Sequence, residues 1–138
     1  MSKSYYPKVF SAGIGGYMGN SYAVEWKDGQ LCYKAFGRGY KSKRTKSKEP
    51  YPAPSKADWQ EFWDELDRIG VWDWKTHYSE PGAIDGTSWS VEIDYNGRKL
   101  ETGGSNAYPG QSDESGYSPE FEAFLKAVQK LIGGMDFA

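Results

Sequence analysis

Three carboxylates, Glu92, Asp94 and Glu101, are the residues of this chain best placed for proton-transfer or cation chemistry. They lie in WSVEIDYNGRKLET, residues 89 to 102, where alternation puts Trp89, Val91, Ile93 and Tyr95 on one strand face. Glu92 and Asp94 project from the other face, about 7 Å apart at ordinary strand rise. Asn96-Gly97 is a two-residue hairpin turn signal, because both turn positions require φ > 0. The turn sets Ile93 opposite Leu100, Asp94 opposite Lys99, and Glu92 opposite Glu101. Like charges directly opposite destabilise a hairpin. Such a cluster can bind a divalent cation or raise one carboxyl for acid–base work. It can equally be a solvated charged face that meets a partner, which is the reading preferred here, with Lys99 beside it.

Other candidate chemistry is weaker. His77 could act as a general base oriented by Asp73 or Asp85, but no nucleophile elbow accompanies it. Cys32 shares a strand face with Glu25, an acidic neighbour that works against a reactive thiolate. With one Cys and one His, neither an internal disulfide nor a zinc site is expected, and no metal or other cofactor is assigned. GIGGYMG, residues 13 to 19, fails the dinucleotide pattern because Met18 stands where the last glycine is needed. ETGGSNAYPG, residues 101 to 110, reads as the place where a strand leaves its sheet, from Gly103 to Gly110. The functional alternative there is a ligand contact through Asn106 or Tyr108.

The strongest functional signal is GRGYKSKRTKSK, residues 37 to 48, with six cations: Arg38, Lys41, Lys43, Arg44, Lys46 and Lys48. Tyr33, Phe36 and Tyr40 adjoin them, so bases could stack while the cations neutralise phosphates. As a plain connector the same stretch is a flexible solvated loop, at about residues 37 to 54. Charge is uneven along the chain: residues 1 to 58 hold 11 Lys/Arg and 4 Asp/Glu, and the remainder hold 6 and 15, for a net charge of -2. Oppositely charged surfaces of that kind select partners.

The elements that must position these residues follow from local chemistry. Tyr22, Val24 and Trp26 alternate up to Asp28-Gly29, a second hairpin turn, and Leu31, Tyr33 and Ala35 return, placing Trp26 against Leu31 and Val24 against Tyr33. Ser55, with Asp58 three residues on, starts a helix whose Trp59, Phe62, Trp63, Leu66 and Ile69 fall on one stripe, ended by Gly70. Ser118 and Pro119 start another, with Phe121, Phe124, Leu125, Val128 and Ile132, ended by Gly133 and Gly134. VWDWKTHYS, residues 71 to 79, alternates like a strand, and KVFSAGIGGYMG reads as an edge strand broken at its glycines. The order strand, hairpin, helix occurs twice, which suggests a β-β-α internal duplication. These pieces predict a single α+β domain over residues 1 to 138, an antiparallel sheet covered on one face by two helices.

Trp72-x-Trp74-x-x-x-Tyr78, Asp85-Gly86-x-x-Trp89-x-Val91-x-Ile93 and Gly104-x-Asn106-x-Tyr108-Pro109, with Phe124, resemble a small uncharacterised bacterial domain family. The resemblance spans roughly the C-terminal two-thirds, omits the basic loop and implies no activity. The expectation is therefore a noncatalytic module that binds another protein, in the manner of an inhibitor or immunity protein. Its contacts would be Arg38, Tyr40, Lys41, Lys43, Arg44, Lys46 and Lys48, and the Glu92, Asp94, Glu101 face. The alternatives are single-stranded nucleic-acid binding through the basic loop and a metal-assisted or carboxylate-dependent hydrolase. MSKSYYPKVF has no apolar run, and no segment approaches the roughly 20 apolar residues of a membrane span, so a cytoplasmic protein without a membrane partner is expected.

Overall fold

The computed structural model describes residues 6–16, 21–36, 45–47, 53–79, 87–105, 109, 118–135 and 137. Its strands are β1 (Val9–Gly16), β2 (Ser21–Lys27), β3 (Gln30–Phe36), β4 (Thr45–Ser47), β5 (His77–Ser79), β6 (Thr87–Tyr95) and β7 (Arg98–Ser105). The helices are α1 (Lys56–Ile69) and α2 (Pro119–Leu131). The strands form one sheet in the order β4-β3-β2-β1-β6-β7-β5. Neighbours are antiparallel, apart from β5, which runs parallel to β7. The chain is thus the expected α+β fold.

Both hairpins form in the expected register, with Trp26 opposite Leu31, Val24 opposite Tyr33, Ile93 opposite Leu100 and Glu92 opposite Glu101. Asp28, Gly29, Asn96 and Gly97 all take positive φ, as the turn geometry requires. One sheet face is covered by the two helices. There Trp59, Phe62, Trp63 and Leu66 of α1 and Phe121, Phe124, Leu125 and Val128 of α2 share a core with Phe10, Val24, Val91 and Ile93. The packing is largely aromatic, as Phe10 against Phe62 at 5.4 Å and Trp89 against Phe121 at 4.7 Å show.

The helix starts are set by side chains. Ser55 and Asp58 form a reciprocal capping box, and Gly70 closes α1 at φ 86. Ser118 does two jobs at the start of α2: its hydroxyl accepts from Phe121 N at 3.2 Å and donates to the Pro109 carbonyl, and the residue is fully buried. Ser118→Ala removes the cap and leaves two buried backbone groups unpaired. Chemical denaturation should show a loss of about 1–2 kcal/mol, against about 1 kcal/mol or less for Ser55→Ala at its exposed cap. Equal losses would contradict the double role.

Three expectations are corrected. The opening strand is central: β1 pairs with β2 on one side and β6 on the other, joining the two hairpins. Phe10, Ala12 and Ile14 are buried on its core face, and Gly13 and Gly15 leave its other face flat. Residues 71 to 79 form a 3₁₀ turn, Val71–Asp73, followed by the short β5. Trp72 Nε1 donates to Asp67 Oδ1 at 2.8 Å while Arg98 lies 4.3 Å over the Trp72 ring, so this segment is pinned between α1 and β7. Finally, β7 does not leave the sheet at Gly103 but continues to Ser105. Gly104 pairs with both Trp89 and Tyr78, and those rings stand 6.0 Å apart across it. The two halves also pair differently, since β1 lies beside the first hairpin strand β2 and β5 beside the second, β7.

Candidate functional site

The sheet face that neither helix covers carries the carboxylates. Ser11 of β1 registers with Glu25 of β2 on one side and Glu92 of β6 on the other, and Glu92 registers with Glu101 of β7. Glu25, Ser11, Glu92 and Glu101 therefore form one row across four adjacent strands, about 14 Å from end to end at ordinary strand spacing. The three carboxylate residues are exposed. Among the described residues none of the three is in an ion pair. Asp94, half-buried, instead sits 4.0 Å from Lys99 Nζ, as the hairpin register implied.

On one side of the acidic row the next rows are built mostly from small residues, while on the other side stand Val9, Asp94 and Lys99. Next to the acidic row run Lys34, Ala23, Gly13, Ser90, Gly103 and His77 on successive strands. Beyond them lie Ser21, Gly15, Ser88 and Ser105. The carboxylates thus border a nearly flat floor on that one side, with Lys34 and His77 at its margins. Such a surface offers three anionic acceptors to a partner's Lys or Arg side chains, with little steric obstruction on the side of the small residues.

Sequence reasoning brought Glu92, Asp94 and Glu101 together correctly, and it missed Glu25. That residue joins the row only because β1 lies between the hairpins, and no local pattern reports such a pairing. His77 is exposed beside Gly103, while Asp73 is in the 3₁₀ turn and Asp85 lies outside the described residues. Cys32 is half-buried and registers with Glu25. Among the described residues no group of three His, Cys, Asp or Glu side chains is placed to hold a metal ion.

Arg38, Tyr40, Lys41, Lys43, Arg44 and Lys48 lie outside the described residues, as do Asn106 and Tyr108. Lys46 belongs to β4, where its backbone pairs with Ala35 at the outer edge of the sheet.

On the opposite side of the molecule, α1 and α2 border a groove of about 410 Å³. Six of its seven charged side chains pair with one another: Lys130 with Glu61, Lys126 with Glu122 at 3.4 Å, and Arg68 with Glu65, while Asp58 accepts from Ser55 N in the helix cap. The Arg68 guanidinium donates to Glu65 and holds its carboxyl below the usual carboxylate range. That pair therefore favours folding above the unfolded-state pKa and loses its effect as pH falls through the folded-state value; at the surface the effect is small. No helix among the described residues is long and apolar enough to cross a membrane.

No family model, curated protein or solved structure matches the chain.

Proposed function

We propose that this chain is a noncatalytic interaction module that binds another protein through the uncovered sheet face, with Glu25, Glu92 and Glu101 meeting a cationic surface. The observation that carries this reading is the exposed acidic row, which has no ion pair among the described residues and is bordered on one side by a floor of Gly, Ala and Ser. Directly opposed carboxylates disfavour the free hairpin by about 0.2–1 kcal/mol. A basic partner converts that repulsion into attraction, which raises association rate and selects against acidic surfaces.

The test combines stability and binding. Glu101→Lys places opposite charges across the hairpin, so its unfolding midpoint should rise by the equivalent of about 0.2–1 kcal/mol at low salt. The same variant, and more so Glu92→Lys with Glu101→Lys, should lose at least tenfold in capture of the partner from lysate after nuclease treatment. A partner retained equally by wild type and the double variant would sink this reading. Retention that nuclease abolishes would point instead to residues 37 to 48 as a single-stranded nucleic-acid site. Its affinity would then fall with salt on a log–log slope of up to about 4.

A further inference from the structure

The groove between α1 and α2 carries charges of both signs in a definite order. Lys130, in the last turn of α2, pairs with Glu61 in the first half of α1. At the other end Trp74, shortly after α1, packs on Phe121 in the first turn of α2 at 6.3 Å. The two helices therefore run antiparallel along the groove. Glu61, Glu65 and Arg68 follow one another on the α1 rim, and Lys130, Lys126 and Glu122 follow in the same direction on the α2 rim. Minus, minus, plus thus stands beside plus, plus, minus. At 1.5 Å rise per residue the two series stay level to within about 1.5 Å. The floor between the rims is apolar, with Phe62, Leu131 and the small side chains of Ala123 and Ala127. The cations remain accessible, since the side chains of Arg68, Lys126 and Lys130 are 68%, 72% and 74% exposed. Exposed ion pairs contribute about 0–1 kcal/mol each, so these groups can accept a second partner at little cost.

We propose that the α1–α2 face binds a second copy of this chain about a two-fold axis running along the groove. Rotation about that axis keeps every residue at its height and sets α1 of one copy over α2 of the other. Glu61 then faces Lys130 of the second copy, Glu65 faces its Lys126, and Arg68 faces its Glu122. Each contact occurs twice, as two-fold symmetry requires. The charge order selects this occupant. A uniformly acidic or uniformly basic partner is repelled by one member of every facing pair, whereas a copy presents the complementary order by symmetry alone. Ala123 and Ala127 keep the middle of the face low, so the charged rims can meet. Two helices about 20 Å long and side by side offer roughly 400 Å² per copy, which makes the association weak and reversible. This face is on the other side of the sheet from Glu25, Glu92 and Glu101, and the dimer stands or falls independently of the acidic row.

Sedimentation velocity of the full chain at low salt, from about 5 µM to about 1 mM, tests it. A monomer–dimer equilibrium is expected, with a dissociation constant that rises at least threefold when salt is raised to about 0.5 M. Glu61→Lys with Glu65→Lys makes both rims mainly basic, and Lys126→Glu with Lys130→Glu makes both mainly acidic. Each double variant should be monomeric alone. Mixed in equal amounts they should form a heterodimer at least as tight as the wild-type dimer, because all six facing pairs are then of opposite charge. Formation of that heterodimer also shows that both variants are folded. Glu92→Lys with Glu101→Lys should dimerise as the wild type does. The proposal is overturned by a wild type that stays monomeric to about 1 mM, by either groove variant dimerising alone as tightly as the wild type, or by a mixture that forms no heterodimer. Loss of the dimer in Glu92→Lys with Glu101→Lys overturns it too, by placing the contact on the sheet.

Discussion

Trp63→Ala should lower the free energy of unfolding by about 3–5 kcal/mol, the usual range for truncating a buried Trp to Ala. Trp63 is 2% exposed and stacks on Tyr95 of β6 at 3.9 Å, with planes 8° apart. It also packs on Phe62 at 5.0 Å and Trp59 at 5.6 Å, so its ring is the point where α1 presses on the sheet. Truncation leaves a ring-sized cavity bounded by rigid aromatics that cannot collapse into it. A domain of this length has a total stability on the order of 7–20 kcal/mol, so the variant forfeits a large fraction of it. Urea unfolding followed by near-ultraviolet circular dichroism reads the effect. Trp72→Ala is the comparison: it removes a half-exposed ring with one hydrogen bond to Asp67 and one stacked Arg98, and the expected loss is about 1 kcal/mol. A Trp63 variant no less stable than the Trp72 variant would show that α1 is not seated on β6 as described.

The features legible in the sequence are those decided by neighbours along the chain. Asp28-Gly29 and Asn96-Gly97 dictate turns whose register then follows, and Ser55 with Asp58, or Ser118 with Pro119, starts a helix through its own hydrogen bonds. What joins distant segments was not legible in the same way. Phe10, Ala12 and Ile14 alternate identically whether a strand is at an edge or in the centre. A usable signal was present, because Val9–Gly16 has no charged residue on either face and edge strands are commonly protected by charge. Reading that absence would have placed β1 between the hairpins and brought Glu25 into the acidic row. Residues 71 to 79 misled for a different reason. Trp72 and Trp74 are spaced like strand residues, yet the αL conformation at Gly70 and the Trp72–Asp67 hydrogen bond make the turn, and Asp67 contributes from inside α1.

Gly103→Ala should destabilise by about 1–3 kcal/mol, whereas Gly13→Ala, two strands away on the same face, should be neutral or stabilise by about 0.4–1 kcal/mol. The opposite signs follow from backbone spacing. A Cβ at position 103 would fall 2.8 Å from the Trp89 carbonyl oxygen and 3.5 Å from Ser90 Cα, atoms of the sheet itself that cannot rotate away. At position 13 the nearest atom is the Tyr22 carbonyl oxygen at 3.6 Å, an ordinary contact. Neither glycine has a positive φ, so only the space around the added methyl decides. The Gly103 variant must push β7 away from β6, and its amide also donates to the Thr76 carbonyl at 3.2 Å, so the strain reaches β5 and loosens Tyr78 from Trp89. Hydrogen exchange should therefore quicken at residues 77 to 79 in Gly103→Ala and stay unchanged there in Gly13→Ala. The pair also probes the proposed interface, because each adds a methyl to its flat floor. If a partner's surface lies directly on that floor, Gly13→Ala should weaken capture without weakening the fold. Full capture by Gly13→Ala would confine the contact to the carboxylate row.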